Sequence, residues 1–249
     1  MAAVVTHPPT IEGPALVTGA GREREIGTAI CRALAARGHA VAFTVAPGGD
    51  VSALAAELGA TPIEADLADP AAAVTVLDAA AERLGAAPTV LVNNAAHSVN
   101  GGYADVDAAT LDAHYAVNVR TPVLLSCALA RRHPRGEPGR IVCLTSGQSL
   151  GPMLGELPYA TTKAALEMFV RQLAPEVMGL GITVNAVNPG VTDTGWVTEA
   201  IRAEVLPRMP AGRIGESEDA ARLIAWLCSA DAAWVTGQVI GSEGGFVRG

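Results

Sequence analysis

The sequence predicts an α/β fold: one doubly wound parallel sheet of about seven strands, flanked by helices. Three observations point there. Short apolar runs alternate with helical patterns along the chain, as βαβ units require. The strand-like runs are apolar at successive positions instead of alternating, which marks a sheet covered on both faces. The chain has 249 residues, half of them hydrophobic, enough to bury such a core within one domain.

Ala15–Thr18 (ALVT) is the first strand and leads into a Gly-containing turn. Ile26–Arg37 reads as a helix, with Ile26, Ile30, Ala33, Leu34 and Arg37 at helical spacing. Ala40–Val45 is the second strand, and Val51–Leu58 a short helix capped by Asp50. Thr61–Ala65 is a strand ending at Asp66, and Pro70–Leu84 is helical. Thr89–Val92 is a strand ending in Asn93-Asn94. Thr110–Arg132 reads as one long helix and Arg140–Leu144 as a strand. Tyr159–Met178 is a helix, with Pro175 late in it. Strand Gly181–Val187, helix Glu218–Ser229 and strand Gln238–Ile240 complete the series. No repeat, charge run or linker divides the chain, so residues 1–249 read as a single domain.

Composition removes several function classes. Charged residues are 17 %, below the roughly 25 % of ordinary soluble domains, which argues against disorder. Aromatics are 4 %, so Ala, Val, Leu and Ile must build the core. A net charge of −8 without basic runs makes a poor nucleic-acid or anionic-membrane binder. No apolar stretch approaches the ~18 residues of a membrane span. Residues 1–14 lack the basic and apolar regions of a signal peptide. Cys31, Cys127, Cys143 and Cys228 form no CxxC pair and read as small core residues in a reducing cytoplasm. His7, His39, His114 and His133 show no metal-binding spacing, so no catalytic metal is expected. His97 reads as an exposed loop histidine, with a place at the edge of the active site as the alternative, and Trp226 and Leu227 read as core. Trp196 either contacts substrate or packs.

Of the 17 basic residues, 16 are Arg, and the single lysine is Lys163. It lies in Tyr159-Ala-Thr-Thr-Lys163, where i, i+4 spacing puts phenol and ammonium on one helix face. A nearby cation favours phenolate and would lower the tyrosine pKa, making it a better acid–base group. Ser146 follows the strand RIVCL, where its hydroxyl could face that phenol. Asn118 sits amid apolar helix positions and needs a partner if buried. The turn Thr18–Gly27 lies between a strand and a helix, the setting in which glycines let a pyrophosphate approach a helix N-terminus.

With these residues in place, nearly the whole chain resembles the short-chain dehydrogenase/reductase family. The family's TGxxxGxG turn matches Thr18–Gly27, and its acidic residue after the third strand matches Asp66-Leu67. Its NNAG matches Asn93-Asn94-Ala95-Ala96, and its PG motif matches Asn188-Pro189-Gly190. Its Asn–Ser–Tyr–Lys tetrad matches Asn118, Ser146, Tyr159 and Lys163. Trp234-Val-Thr-Gly-Gln238 and Gly244-Gly245 match as well. The segments 144–153 and 188–196 are similar to the branch of 3-oxoacyl-carrier-protein reductases.

The resemblance implies a Rossmann-type domain that transfers hydride between a nicotinamide and a carbonyl or hydroxyl carbon. Tyr159 would be the acid/base, Ser146 would bond the substrate oxygen, Lys163 would tune Tyr159 and bond the ribose, and Asn118 would hold a water. Cofactor contacts would come from Gly19, Arg22, Ile26, Gly27, Asp66, Leu67, Asn93, Ala95, Lys163, Pro189, Gly190, Val191 and Thr194. The resemblance also implies a homotetramer or dimer joined through helices 110–132 and 159–178, and a substrate lid at 195–213.

Two departures matter. The turn from Thr18 to Gly27 has ten residues, two more than the common form, and Glu25 stands where the middle glycine would be. That charge near a pyrophosphate raises an alternative, a cofactor-weakened or cofactor-free binding or assembly protein. After the second strand, Thr44 and Val45 replace the acid that would select NAD(H). With Arg22 in the turn, this favours NADP(H) over NAD(H).

Overall fold

A computed structural model describes residues 13–49, 51–60 and 62–248. Asp50, the expected helix cap, and Thr61, the expected start of the third strand, lie outside the described residues. Seven strands form one sheet in the order β3-β2-β1-β4-β5-β6-β7, and every neighbouring pair is parallel. They are β1 Ala15–Val17, β2 Val41–Val45, β3 Ile63–Glu64, β4 Val90–Asn93, β5 Gly139–Leu144, β6 Ile182–Asn188 and β7 Val239–Gly241.

Strand side chains point alternately to opposite faces. Leu16, Leu91 and Ile141 go to one face, under α3 (Ala72–Leu84), α5 (Thr121–Arg132) and α6 (Leu157–Val177). Ala15, Val17, Phe43 and Val92 go to the other, under α1 (Ile26–Ala35), α2 (Ser52–Leu58) and α8 (Ser217–Leu227). Both faces are dry, which is why the strands show no polar alternation. Cys31, Cys143 and Cys228 are buried within these layers.

Two expectations change. The long helix 110–132 is α4 (Ala108–Tyr115) and α5 joined by a π-helical turn at Ala116–Arg120. There the Thr121 N–H donates to the Ala116 carbonyl, an i→i+5 bond. Such a bulge adds one residue without disturbing the apolar period enough to be read, and it often marks a functional site. Trp226, expected in the core, is 37 % exposed, while Leu227 is fully buried. Adjacent helical residues point about 100° apart, and α8 turns Ala221, Ile224 and Leu227 inward instead.

Chain direction across the sheet reverses between β1 and β4. The loops leaving these two strands diverge to opposite faces, which opens a crevice at their carboxyl ends.

Candidate active site

A cleft of about 580 Å³ fills that crevice. One wall is the turn Gly19–Gly27. Gly19 has φ +72°, and a Cβ on it would stand 2.9 Å from Ala95. A Cβ on Gly27 would stand 2.0 Å from the Gly19 carbonyl oxygen. Asn94 Nδ2 donates to the carbonyls of Thr18 (3.0 Å) and Gly19 (2.6 Å), tying the turn to the end of β4. The hydroxyl of Thr18 accepts from the Asn94 and Ala95 N–H groups, and that of Thr44 accepts from Gly19 N–H at 3.0 Å. Asn94 was not among the expected contacts. The Asn93-Asn94 doublet was the only signal for it.

The lengthened turn is held from outside the cleft. Glu23 pairs with Arg32 at 2.8 Å, and Arg24 with Asp193 at 2.7 Å. Glu25 stands at the N-cap of α1, but its side chain accepts from none of that helix's N–H groups. Its carboxylate bends back to the Arg22 N–H (3.2 Å) and guanidinium (3.7 Å). Ile26 and Gly27 begin α1 on the cleft wall, so the helix presents uncapped N–H groups to an anion.

Tyr159 and Lys163 line the opposite end from α6. Lys163 Nζ lies 5.4 Å from the Tyr159 ring centre and donates to the Leu144 carbonyl at 2.8 Å. Lys163 is 2 % exposed. Ser146, just past β5, places its hydroxyl by the Tyr159 phenol. Asn118 sits in the π turn with both ends of its amide engaged. Its Oδ1 accepts from His97 N–H at 2.7 Å, and its Nδ2 donates to the His97 carbonyl and to Thr162 Oγ1. The partners its burial demanded are therefore His97 in the loop after β4 and Thr162 on α6.

Desolvation lifts the Tyr159 phenol to about 12, Glu156 adds to the rise, and Ser146 offsets part of it. Burial pulls the Lys163 ammonium down to about 8. The phenol therefore lies above its ordinary value instead of below it, because burial disfavours its charged form and Lys163 is not among the groups that shift it. His97 takes the alternative position, at the edge of the site. It lines the cleft, with its ring edge-on to the buried His114 at 4.6 Å, and burial lowers its pKa.

Arg22, Asp66, Leu67, Ala95, Pro189 and Thr194 line the cleft. Asn93 lies behind it, donating to Ser126 Oγ at 3.0 Å. Gly190 backs onto Glu243, and the Val191 carbonyl accepts from Gly215 N–H. Val45, Ala46, Pro47 and Gly49 form the wall beyond β2, without a carboxylate.

Residues 19–247 match the family model for enoyl-(acyl carrier protein) reductase. An uncharacterized oxidoreductase, YjdA of Bacillus subtilis, is 48 % identical over 94 % of this chain and 97 % of its own. The 3-oxoacyl-[acyl-carrier-protein] reductase FabG of Escherichia coli is 36 % identical over 93 % of this chain and 96 % of its own. A short-chain dehydrogenase from Burkholderia cenocepacia, solved in complex with NADP, superposes with TM-score 0.86 at 35 % identity, over 94 % and 98 % of the two chains. The chain belongs to the short-chain dehydrogenase/reductase family.

The residues of the cleft suit the dinucleotide of that family. Only glycine fits at 19 and 27, and the start of α1 is left for an anion. Among the described residues no cluster of metal-ligating side chains converges, and no helix is long and apolar enough to cross a membrane.

Proposed function

We propose that the protein is an NADP(H)-dependent carbonyl reductase or alcohol dehydrogenase. One observation carries this: Tyr159, with the Ser146 hydroxyl beside its phenol, and Lys163 line one end of a cleft whose other end is a backbone-lined, uncapped helix N-terminus. Gly19, Arg22, Ile26, Gly27, Asp66, Leu67, Ala95, Pro189 and Thr194 would hold the dinucleotide, with Asn93, Gly190 and Val191 supporting those walls. The bound nicotinamide supplies or accepts the hydride.

The chain's own residues handle the oxygen. In reduction, the Tyr159 hydroxyl gives its proton to the substrate oxygen as negative charge develops there. Ser146 Oγ donates a hydrogen bond to the same oxygen, a stabilisation that grows with the charge. Lys163, cationic below about 8, stabilises the phenolate left behind. Asn118 locks the His97 loop to Thr162, the residue before Lys163. In oxidation Tyr159 takes the proton instead.

Cofactor choice follows from the wall beyond β2. Among the described residues that line the cleft there, none carries a carboxylate to face a ribose diol, and Thr44 is occupied by the Gly-rich turn. Arg22 stands on the same side with its guanidinium largely in solvent, suited to a 2′-phosphate. The segment 195–213 would be the substrate lid. Val197, Ile201 and Val205 in it favour an uncharged carbonyl compound, and the E. coli relative's name makes 3-oxoacyl compounds the first to try. Exposed Leu111, Tyr115 and Leu124 on α4 and α5, with Leu157 and Met168 on α6, support a homodimer or homotetramer, readable by light scattering. Four free cysteines support a cytoplasmic setting.

The test is a fluorescence titration with NADPH and NADH, followed by turnover of a carbonyl panel. NADPH binding tighter than NADH binding is expected. Failure of both to bind at millimolar concentration sinks the reductase reading. It would favour the alternative of a binding or assembly protein, for which Glu25 on the cleft wall is the supporting observation.

A further inference from the structure

Glu167 stands on α6, one turn beyond Lys163, and is 5 % exposed. A carboxylate so buried is costly unless it is hydrogen-bonded. Its hydrogen-bond partners are Gln148 Nε2 and Ser149 Oγ (3.0 Å), and both donate to the same oxygen, Oε1. Both belong to the 3₁₀ turn Gly147–Ser149, which begins directly after Ser146. With its amide nitrogen held by Glu167, Gln148 has its other end oriented. Gln148 Oε1 accepts from the Ser146 N–H at 3.1 Å. Consecutive hydrogen bonds therefore run from the helix that carries Tyr159 and Lys163 to the backbone of Ser146. Ser146 is held fully extended (φ −153°, ψ −172°), with its hydroxyl by the phenol.

We propose that Glu167 is a positioning residue for Ser146, acting through the side chain of Gln148. The proposal rests on the catalytic reading of Ser146 given above. A leucine of similar volume at 167 would fill the same space but leave Gln148 Nε2 and Ser149 Oγ without their acceptor. What the leucine could not do is anchor the turn. Because α6 supplies Tyr159, Lys163 and Glu167 together, one helix sets both the acid and the hydrogen-bond donor that must converge on one substrate oxygen. Misplacement of such a group by a fraction of an ångström to 1 Å is enough to lower turnover strongly.

The test uses the full chain with E167L, Q148L, the double variant and E167Q. E167L and Q148L should each lower kcat roughly ten-fold, with the NADPH dissociation constant unchanged. The double variant should be no worse than either single one, since both cut the same link. E167Q keeps an acceptor oxygen at the Oε1 position and should stay near wild type. Multiplying losses in the double variant, or an unaltered kcat in E167L, would overturn the proposal. Crystal structures of Q148L and E167L give a readout that needs no substrate. Release of the 147–149 turn and displacement of Ser146 Oγ are expected, and an unmoved turn overturns the proposal. If E167L fails to fold, Q148L cuts the link from the outer end. Wild-type protein inert toward all carbonyls and both cofactors would sink the reductase reading alone, while the crystallographic comparison still decides the positioning.

Discussion

Asp193, in the loop after β6, pairs with Arg24, in the turn after β1, at 2.7 Å. The same carboxylate oxygen also pairs at 3.1 Å with Arg202 of α7 (Glu199–Val205). One residue so joins the two walls of the cleft and the proposed lid. Hydrogen bonding from the Gly195 N–H, together with both arginines, holds the Asp193 carboxyl below its usual range. Arg24 is largely exposed, so the pair is modest in strength. Replacing Asp193 with Ala should speed NADPH release roughly two- to five-fold, within the range of such pairs. Stopped-flow fluorescence measures this, and an unchanged release rate would show that the bridge does not retain the cofactor.

Lys163 is the chain's single lysine, so only the α-amino group shares its titration window. Reductive methylation with ¹³C-formaldehyde should give one side-chain resonance with a midpoint near 8. A midpoint near the ordinary lysine value would contradict the burial seen here.

The same shift predicts a pH dependence of stability. The folded pKa, about 8, lies below the ordinary 10.5. Between these values the unfolded chain holds the proton and the folded one does not, so the Lys163 contribution to stability rises with pH across that window. The difference between wild type and K163M, followed by denaturant melts from pH 7 to 11, should show this rise. Its absence would count against a buried, desolvated ammonium.

Gly27 tolerates no side chain, because a Cβ would lie 2.0 Å from backbone at Gly19. G27A should weaken NADPH binding more than ten-fold by displacing the turn. Unchanged affinity in the titration would mean that the turn is not the phosphate site. E25G, by contrast, removes a negative charge from the same wall and should tighten binding.

Y159F should lower kcat by roughly 10²–10⁴, the usual worth of a positioned acid, and leave cofactor affinity within about two-fold. Undiminished turnover would remove Tyr159 from the chemistry.

Much of the architecture is legible in the chain because periodicity records which face is buried. Runs such as Ala40–Val45 could only be strands covered on both sides, and β2 lies there. The Tyr159–Lys163 pair is equally local, since helical geometry alone places i and i+4 together. The π turn at Asn118 escaped because a one-residue bulge leaves the apolar pattern almost intact. Trp226 was misjudged, and His97 left between two readings, for a related reason: their exposure depends on what packs over them, which local composition does not record.

By itself, the sequence determined the layered sheet, the Gly-rich turn after β1 and the placement of Ser146, Tyr159 and Lys163 at strand and helix ends. Those follow from periods and spacings of a few residues. Only the tertiary structure decided that Glu167 reaches Gln148, that Arg24 reaches Asp193, and that Glu25 turns back on Arg22. It also decided that Tyr159 is raised instead of lowered. Each depends on which side chains from distant or newly apposed segments meet, and on how much water their meeting removes. Desolvation and directional hydrogen bonds are properties of that assembled surface, so spacing along the chain could name the groups without setting their charge.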